Sequence, residues 1–386
     1  MKTVIIIPTY NERENISAVL EKLEAIFKDC PKNFSMHILV VDDTSPDGTG
    51  GIVKQKGKQY SNIHLLVNAK KEGLGAAYIK GMNYAIDKLE ADLVFEFDAD
   101  GSHQPKYIPL MLVEINKGAD VVVGSRYVSG GSMPKDWGLN RKIISYLGNL
   151  IARTVFFTFQ YHDMTSGFRV SKTEFLRKID LNNLLSKQYA YKIHLYYALH
   201  KARAKILEYP IDFIDRSKGK SKFPKNNIKD SLRVVFTLRY KENERFIKVC
   251  LVGVIGLIIQ LTIFNILRLV INNPFREIRV LGWPIIVPLH TLIAVELAIV
   301  SNFLINNYWT FNKDRANSIP ELLLKFIPFN LASGGSIVIQ WIVLILGTKF
   351  LGTSFIVDNL LTITGILIGL IWNYTMYTKL IWKKKD

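Results

Sequence analysis

Two aspartates one residue apart, Asp98 and Asp100 in FDADGSHQP (residues 97–105), follow the apolar run Leu93, Val94, Phe95. A carboxylate beside a core strand is costly unless a positive group meets it. A lysine or arginine, a ring of backbone N–H groups, or a divalent cation would serve. At a strand end, residues i and i+2 point the same way. The pair therefore offers oxygens on one side, a donor set that suits Mg²⁺ or Mn²⁺. Such an ion would bridge to a diphosphate and neutralise its charge as it leaves. The plainer reading is a loop acid and a cap for a helix beginning near Pro105. A second acidic pair, Asp42 and Asp43, closes VVDD and precedes an Asp-Gly turn. An acid after the second strand of a nucleotide-binding sheet accepts hydrogen bonds from ribose or base, or it caps the next helix. The stretch GLGAA (73–77) reads as a phosphate loop or as a close helix–sheet contact.

The elements that must hold these groups are legible in the apolar periodicity. TVIII (3–7), HILVVD (37–42), IHLLV (63–67), LVFEFD (93–98) and DVVVG (120–124) have the length and β-branched content of buried strands. Between them, ERENISAVLEKLEAIFK and GLGAAYIKGMNYAIDKLE space their apolar residues as helices do. Strand–helix alternation predicts a mostly parallel sheet covered on both faces. Ligands of such sheets bind beyond the carboxyl ends of the strands. Asn11-Glu12, the DDTSPDG turn, DADG and Ser125-Arg126-Tyr127 all follow strands, so they should share one edge. The amino-terminal apolar run is cut by Pro8, too short for a signal peptide, and reads as the first strand.

Composition divides the chain. It carries 50 Lys and Arg against 33 Asp and Glu, a net charge of +17, yet its mean hydropathy is +0.15. Such a balance predicts a charged half and a membrane half in one molecule. The basic excess suits anionic lipid or phosphorylated small molecules. No helix-turn-helix, zinc-finger or RNA-binding signature is present, so nucleic acid is not the expected partner. Two cysteines, Cys30 and Cys250, and no close Cys/His cluster argue against a disulfide framework or structural zinc and fit a reducing compartment.

Apolar stretches at 246–271, 285–305, 326–346 and 355–381 each approach or exceed the ~20 residues a helix needs to cross a bilayer. Four transmembrane helices are expected, giving an integral, multi-pass membrane protein. Arg239, Lys241, Arg245 and Lys248 precede the first span, Lys313, Arg315 and Lys325 lie between the second and third, and Lys383–Lys385 end the chain. The alternate loops carry Arg276, Arg279 and Lys349. The excess places both termini and the amino-terminal half on the cytoplasmic side. Glu296, Asn302 and Asn306 lie along the second span, as functional polar groups or as hydrogen-bonding partners of neighbouring helices. The basic segment 222–246, with Leu232, Val235, Phe236 and Leu238 interspersed, reads as an amphipathic helix in the interface or as a plain linker helix.

Taken in order, PTYNERENI, DDTSPDGT, GLGAAYIKGM, DADGSHQPKYIP, GSRY, RKIIS, DMTSGFRV and YPIDFIDRSKGKSK resemble the polyprenol-phosphate (dolichol-phosphate) mannosyltransferases over roughly residues 1–236. ELAIVSNFLINNYWTF (296–311) resembles the small four-helix membrane family found beside bacterial glycosyl-lipid enzymes. The resemblance implies a glycosyltransferase A-type, Rossmann-like α/β domain over 1–225, a linker or interfacial helix over 226–245, and an all-α four-helix transmembrane domain over 246–386. It implies inverting transfer of mannose from GDP-mannose to a polyprenyl or dolichyl monophosphate at the cytosolic face, assisted by Mg²⁺ or Mn²⁺. A polyprenyl-phosphate glucosyltransferase using UDP-glucose has the same fold and acids. A membrane scaffold or lipid-linked sugar flippase is the rival from outside enzymology.

Residue by residue, the resemblance puts Pro8, Tyr10 and Glu12 in the guanosine pocket and Val40 and Asp42 at base and ribose. Asp98, Ala99 and Asp100 meet diphosphate and metal, with Asp100 the direct ligand. Arg126 contacts the donor's sugar or phosphate, and Arg216 and Lys222 grip phosphates. Ser166 and Arg169 of DMTSGFR bind the acceptor phosphate or belong to a structured loop that caps a helix. Where some relatives place a metal-binding glutamine two residues after the second acid, this chain has Ser102, followed by His103 and Gln104, which leaves the metal shell open.

Overall fold

Val4, Ile5, Ile6 and Ile7, an unbroken β-branched run, are fully buried and form the middle of the chain's first strand. The structure is a computed structural model and describes residues 1–215, 226–270, 275–280 and 283–383. The chain divides into two units, Met1–Arg239 and Tyr240–Asp386.

In the first unit, strands β1 (Lys2–Thr9), β2 (Ser35–Asp42), β3 (Ile63–Val67), β4 (Leu93–Glu96) and β5 (Val121–Ser125) alternate with helices. The helices are α1 (Arg13–Phe27), α2 (Thr49–Gln59), α3 (Leu74–Asp87) and α4 (Ile108–Asn116), with α5 (Leu139–Phe156) following β5. Then come β6 (Arg169–Lys172), the short α6 (Thr173–Leu176), α7 (Tyr191–Lys201) and β7 (Ile206–Pro210). The sheet order is β3-β2-β1-β4-β6-β5-β7, and β6 alone runs antiparallel to its neighbours. In register, Ile5 sits between Ile38 and Phe95, so the strand ends that follow β1, β2 and β4 lie at one edge. The five strands read from the sequence are present. Two more, β6 and β7, have short and partly polar sequences, RVSK and ILEYP, without the apolar run that marks the others.

Each sheet face carries its own core. Ile6 and Val41 of the sheet pack with Tyr78 and Met82 of α3 on one side. Ile5 and Val40 pack with Leu20 of α1 and Met111 of α4 on the other. Val40 is therefore a core residue at zero exposure and is not among the residues that line the cavity at the sheet's carboxyl edge. Gly81 lets α3 approach the sheet: an added Cβ would come within 2.6 Å of Ile6 Cγ2.

In the second unit and its approach, α8 (Asn227–Val270) is one continuous helix through the segment expected as linker and the first span. Its beginning, up to Arg239, belongs to the first unit, with Val235 in that unit's core and Arg233 donating to the Leu185 carbonyl at 2.9 Å. A hairpin of β8 (Phe275–Val280) and β9 (Trp283–Pro288) follows. The second span therefore starts at Leu289, as α9 (Leu289–Ile305), and not at residue 285: β9 takes residues up to Pro288, and neither Pro284 nor Pro288 has an N–H to continue a helix backward. The third, α10 (Ile319–Leu351), begins earlier than its apolar stretch because Ser318 caps it, accepting from the Glu321 N–H. The last is α11 (Phe355–Met376), extended by a π-turn to Ile381. Gly365 and Gly369 let α11 close on Gln340 and Ser336 of α10, the small-residue packing of helices in lipid. Among the described residues, four helices are long and apolar enough to cross a membrane. Glu296 accepts a hydrogen bond from Asn330 at 2.9 Å, as the neighbouring-helix reading expects. Cys30 and Cys250 are both free thiols.

Candidate active site

The carboxyl edge of the sheet holds a cavity of about 410 Å³. Pro8 and Thr9 at the end of β1, Tyr10 and Glu12 after it, Asp43 after β2, Lys71 to Leu74 at the start of α3, and Asp98, Ala99 and Asp100 after β4 line it. Gln188 and Tyr189, just before α7, close one side. Parallel pairing brings these turns together because each follows its strand in the same direction.

Asp98 and Asp100 are held differently. Gly101, at φ +79, turns the chain, and Asp100 Oδ1 accepts the Ser102 N–H at 3.0 Å. Asp98 Oδ1 accepts from the Tyr78 hydroxyl at 2.7 Å. Its Oδ2 lies 3.6 Å from Lys192 Nζ and 3.6 Å from His103 Nε2. Burial alone would raise the Asp98 carboxyl, but Lys192, His103 and the Tyr78 hydroxyl outweigh it and hold it below the usual range. His103 Nδ1 accepts the Asp98 N–H at 2.9 Å. Burial, first among its causes, keeps that imidazole neutral at lower pH than usual. Its Nδ1 is thereby spent on the backbone, and Gln104 donates its amide to the Asp212 carbonyl. Neither completes a metal shell as those positions stand.

Lys71 supplies positive charge, its ammonium 3.7 Å from the centre of the Tyr10 ring. Asp43 accepts from Asn68 Nδ2 at 2.6 Å, and burial raises its carboxyl. The two glycines of GLGAA answer to close packing, against the turn before α7 instead of the sheet. A Cβ on Gly73, at φ +121, would lie 2.5 Å from the Lys187 carbonyl oxygen, and one on Gly75 2.8 Å from that of Gln188.

Several residues expected at the site stand elsewhere. Asp42 is buried and turned inward, accepting from Thr9 Oγ at 2.9 Å and Ser45 Oγ at 2.6 Å, so Asp43 takes the lining position. Arg126 is clasped by Asp163, Nε to Oδ2 and Nη2 to Oδ1 both at 2.7 Å, and its Nη2 also donates to Thr165. Burial would lower the guanidinium and raise the carboxyl; their mutual attraction reverses both. Ser166 donates to the Gly124 carbonyl at 2.6 Å. Arg169 is fully buried, its Nε 2.7 Å from Glu96 Oε1, because β6 inserts between β4 and β5 and sends this side chain inside. Neither Ser166 nor Arg169 is among the residues that line the cavity. Arg216 and Lys222, with Lys218 and Lys220, lie outside the described residues. Sequence reasoning missed Lys71, Gln188, Tyr189 and Lys192. The one available signal was a lysine inside the otherwise apolar and aromatic run YKIHLYYAL.

Among the described residues, no group of three or more His, Cys, Asp and Glu side chains is placed to hold a metal by itself. The donor set fits a hard cation shared with a ligand's phosphate oxygens: Asp100 borders the cavity, and Mg²⁺ and Mn²⁺ accept one or two carboxylates plus phosphate and water.

Residues 4–180 match the glycosyl transferase family 2 model, and residues 245–382 match the GtrA/DPMS transmembrane domain. With the acid-lined cavity at the sheet's carboxyl edge and the four apolar helices, these matches define a membrane-bound glycosyltransferase. A polyprenol monophosphomannose synthase of Mycolicibacterium smegmatis is 38% identical over 60% of this chain and 84% of its own length. An undecaprenyl-phosphate mannosyltransferase of Micrococcus luteus is 38% identical over 58% of this chain and 87% of its own. A dolichol-phosphate mannosyltransferase of Pyrococcus furiosus is 31% identical over 99% of both chains, both units included. The chain belongs to the polyprenol-phosphate mannosyltransferase family of glycosyltransferases.

Proposed function

We propose that the protein transfers mannose from GDP-mannose to a polyprenyl or dolichyl monophosphate, with inversion, at the cytosolic membrane face. The observation that carries this reading is the cavity shared by Tyr10, Lys71 and Asp100 in a chain matched along its whole length by a dolichol-phosphate mannosyltransferase. Its volume of about 410 Å³ lies within the ~300–1,000 Å³ of small-molecule sites.

An oxygen of the lipid phosphate attacks the anomeric carbon of mannose. The bond from that carbon to the diphosphate oxygen breaks, and GDP leaves with the electron pair. The lipid phosphate is already ionised near neutral pH, its second pKa being about 6, so no side chain has to remove a proton. Two anionic partners must instead be brought into line. Tyr10 offers a ring for the base and Lys71 charge for the phosphates. Asp100 would hold Mg²⁺ or Mn²⁺, which when bound neutralises charge on the departing diphosphate. Arg216 and Lys222, outside the described residues, keep the phosphate-gripping role implied by the family motif. Arg126, through Asp163, positions the loop after β5 at the same edge. Arg239, Lys241, Arg245 and Lys248 at the first span support a cytoplasmic catalytic unit.

Membranes carrying the protein, given labelled GDP-mannose or UDP-glucose in parallel, test the reading. A lipid-soluble, mild-acid-labile product is expected from GDP-mannose. Label entering lipid from UDP-glucose alone would replace it with the glucosyltransferase reading.

A further inference from the structure

Lys192, in the first turn of α7, is 6% exposed. Among the described residues Asp98 is its ion-pair partner, at 3.6 Å. The space it occupies is made by Gly167: any Cβ there would overlap the Lys192 ammonium. The strand-end loop, α7 and the turn before β6 thus build a place for one cation beside one acid.

We infer that Lys192 is the resident counter-ion of Asp98 and makes it a positioning residue, so that a divalent ion is held on the protein side by Asp100 alone. Both oxygens of Asp98 are already engaged, Oδ1 by the Tyr78 hydroxyl and Oδ2 by Lys192 and His103. A carboxylate compensated in this way gains little from a second cation, and the ammonium repels a dication brought close to it. Tyr78 is in turn stacked on Tyr191, with ring centres 5.5 Å apart, and Tyr191 donates to Glu96 at 2.7 Å. Asp98 is therefore fixed from several sides, and with it the backbone that carries Ala99 and Asp100 to the cavity. The inference rests on the proposal that a divalent ion joins the diphosphate here, and it does not depend on which sugar or lipid is used.

Titration of Mn²⁺ against the purified full chain, with free ion read by its electron paramagnetic resonance signal and no nucleotide present, tests this. Asp100→Asn should weaken binding about tenfold or more, as loss of a ligand does, while Asp98→Asn changes it by less than about twofold. Lys192→Met should tighten Mn²⁺ binding about tenfold by releasing a second carboxylate to the ion, and adding Asp98→Asn to it should cancel that gain. Gly167→Ala, which displaces the same ammonium without removing it, should tighten binding in the same direction. Melting curves of each variant identify any that fail to fold, and Lys192→Gln replaces Lys192→Met in that event. Equal weakening by Asp98→Asn and Asp100→Asn, or an unchanged Mn²⁺ affinity in Lys192→Met, would overturn the inference. A mistaken sugar donor would appear only in the labelled-donor assay and would leave this titration unaltered.

Discussion

Arg126 and Asp163 meet through two parallel hydrogen bonds of 2.7 Å, joining the loop after β5 to the turn that leads into β6. The Asp163 side chain is fully buried, and its backbone N–H donates to Glu208 Oε1 on β7 at 2.6 Å. Asp163→Ala would strand a buried guanidinium, at a cost of about 3–5 kcal/mol. The expected result is a lower melting temperature of the full chain in detergent. Arg126→Lys should recover little of the stability lost in Arg126→Ala, because an ammonium cannot reproduce the fork. Full recovery by lysine would contradict this pairing.

A second buried pair makes the opposite distinction. Arg169 and Glu96 sit at 0% and 1% exposure within the sheet. Arg169→Met should destabilise by about 3 kcal/mol or more, since it leaves Glu96 uncompensated. Where the variant remains folded, the KM for lipid phosphate should stay near the parent value. A selective rise in that KM with unchanged melting would return Arg169 to the acceptor site.

Asp100→Ala is expected to lower mannolipid formation by about a hundredfold or more, as loss of charge stabilisation at a departing group does. EDTA should abolish turnover, and Mg²⁺ or Mn²⁺ should restore it in the parent but not in the variant. The measurement is labelled mannose partitioning into organic solvent.

Stability should also depend on two stacked histidines far from the cavity. His37 Nδ1 and His64 Nε2 are 3.3 Å apart on adjacent strands, an arrangement that needs one ring to donate and the other to accept. Burial first, and then the charge of Lys2, lowers both imidazoles below 6.5. The unfolded chain therefore binds more protons than the folded one as the pH falls below 6.5. The stabilisation is fully present above that pH and is lost on acidification. Melting temperature should drop between pH 7.5 and 5.5, and His37→Asn should flatten part of that slope. An equal slope in the variant would assign the loss to other groups.

The two-part organisation, the first five strands and the acids after β4 were all legible in the sequence, and the reason is local. β-branched runs and apolar stretches of bilayer length act through neighbours along the chain. The second span shows the limit of that locality: residues 285–288 are apolar enough for a helix, yet they pair with β8. Contacts across the fold left no such trace. Arg169 in SGFR has the type and setting of an anion-binding group, and only the antiparallel insertion of β6 buries it against Glu96, 73 residues earlier. Asp42 and Asp43 differ by one position: Asp42, the last residue of β2, faces Thr9, while Asp43, just past the strand, lines the cavity. Lys192 carries no motif; tertiary packing sets it beside Asp98, where the vacant side of Gly167 leaves room for its ammonium.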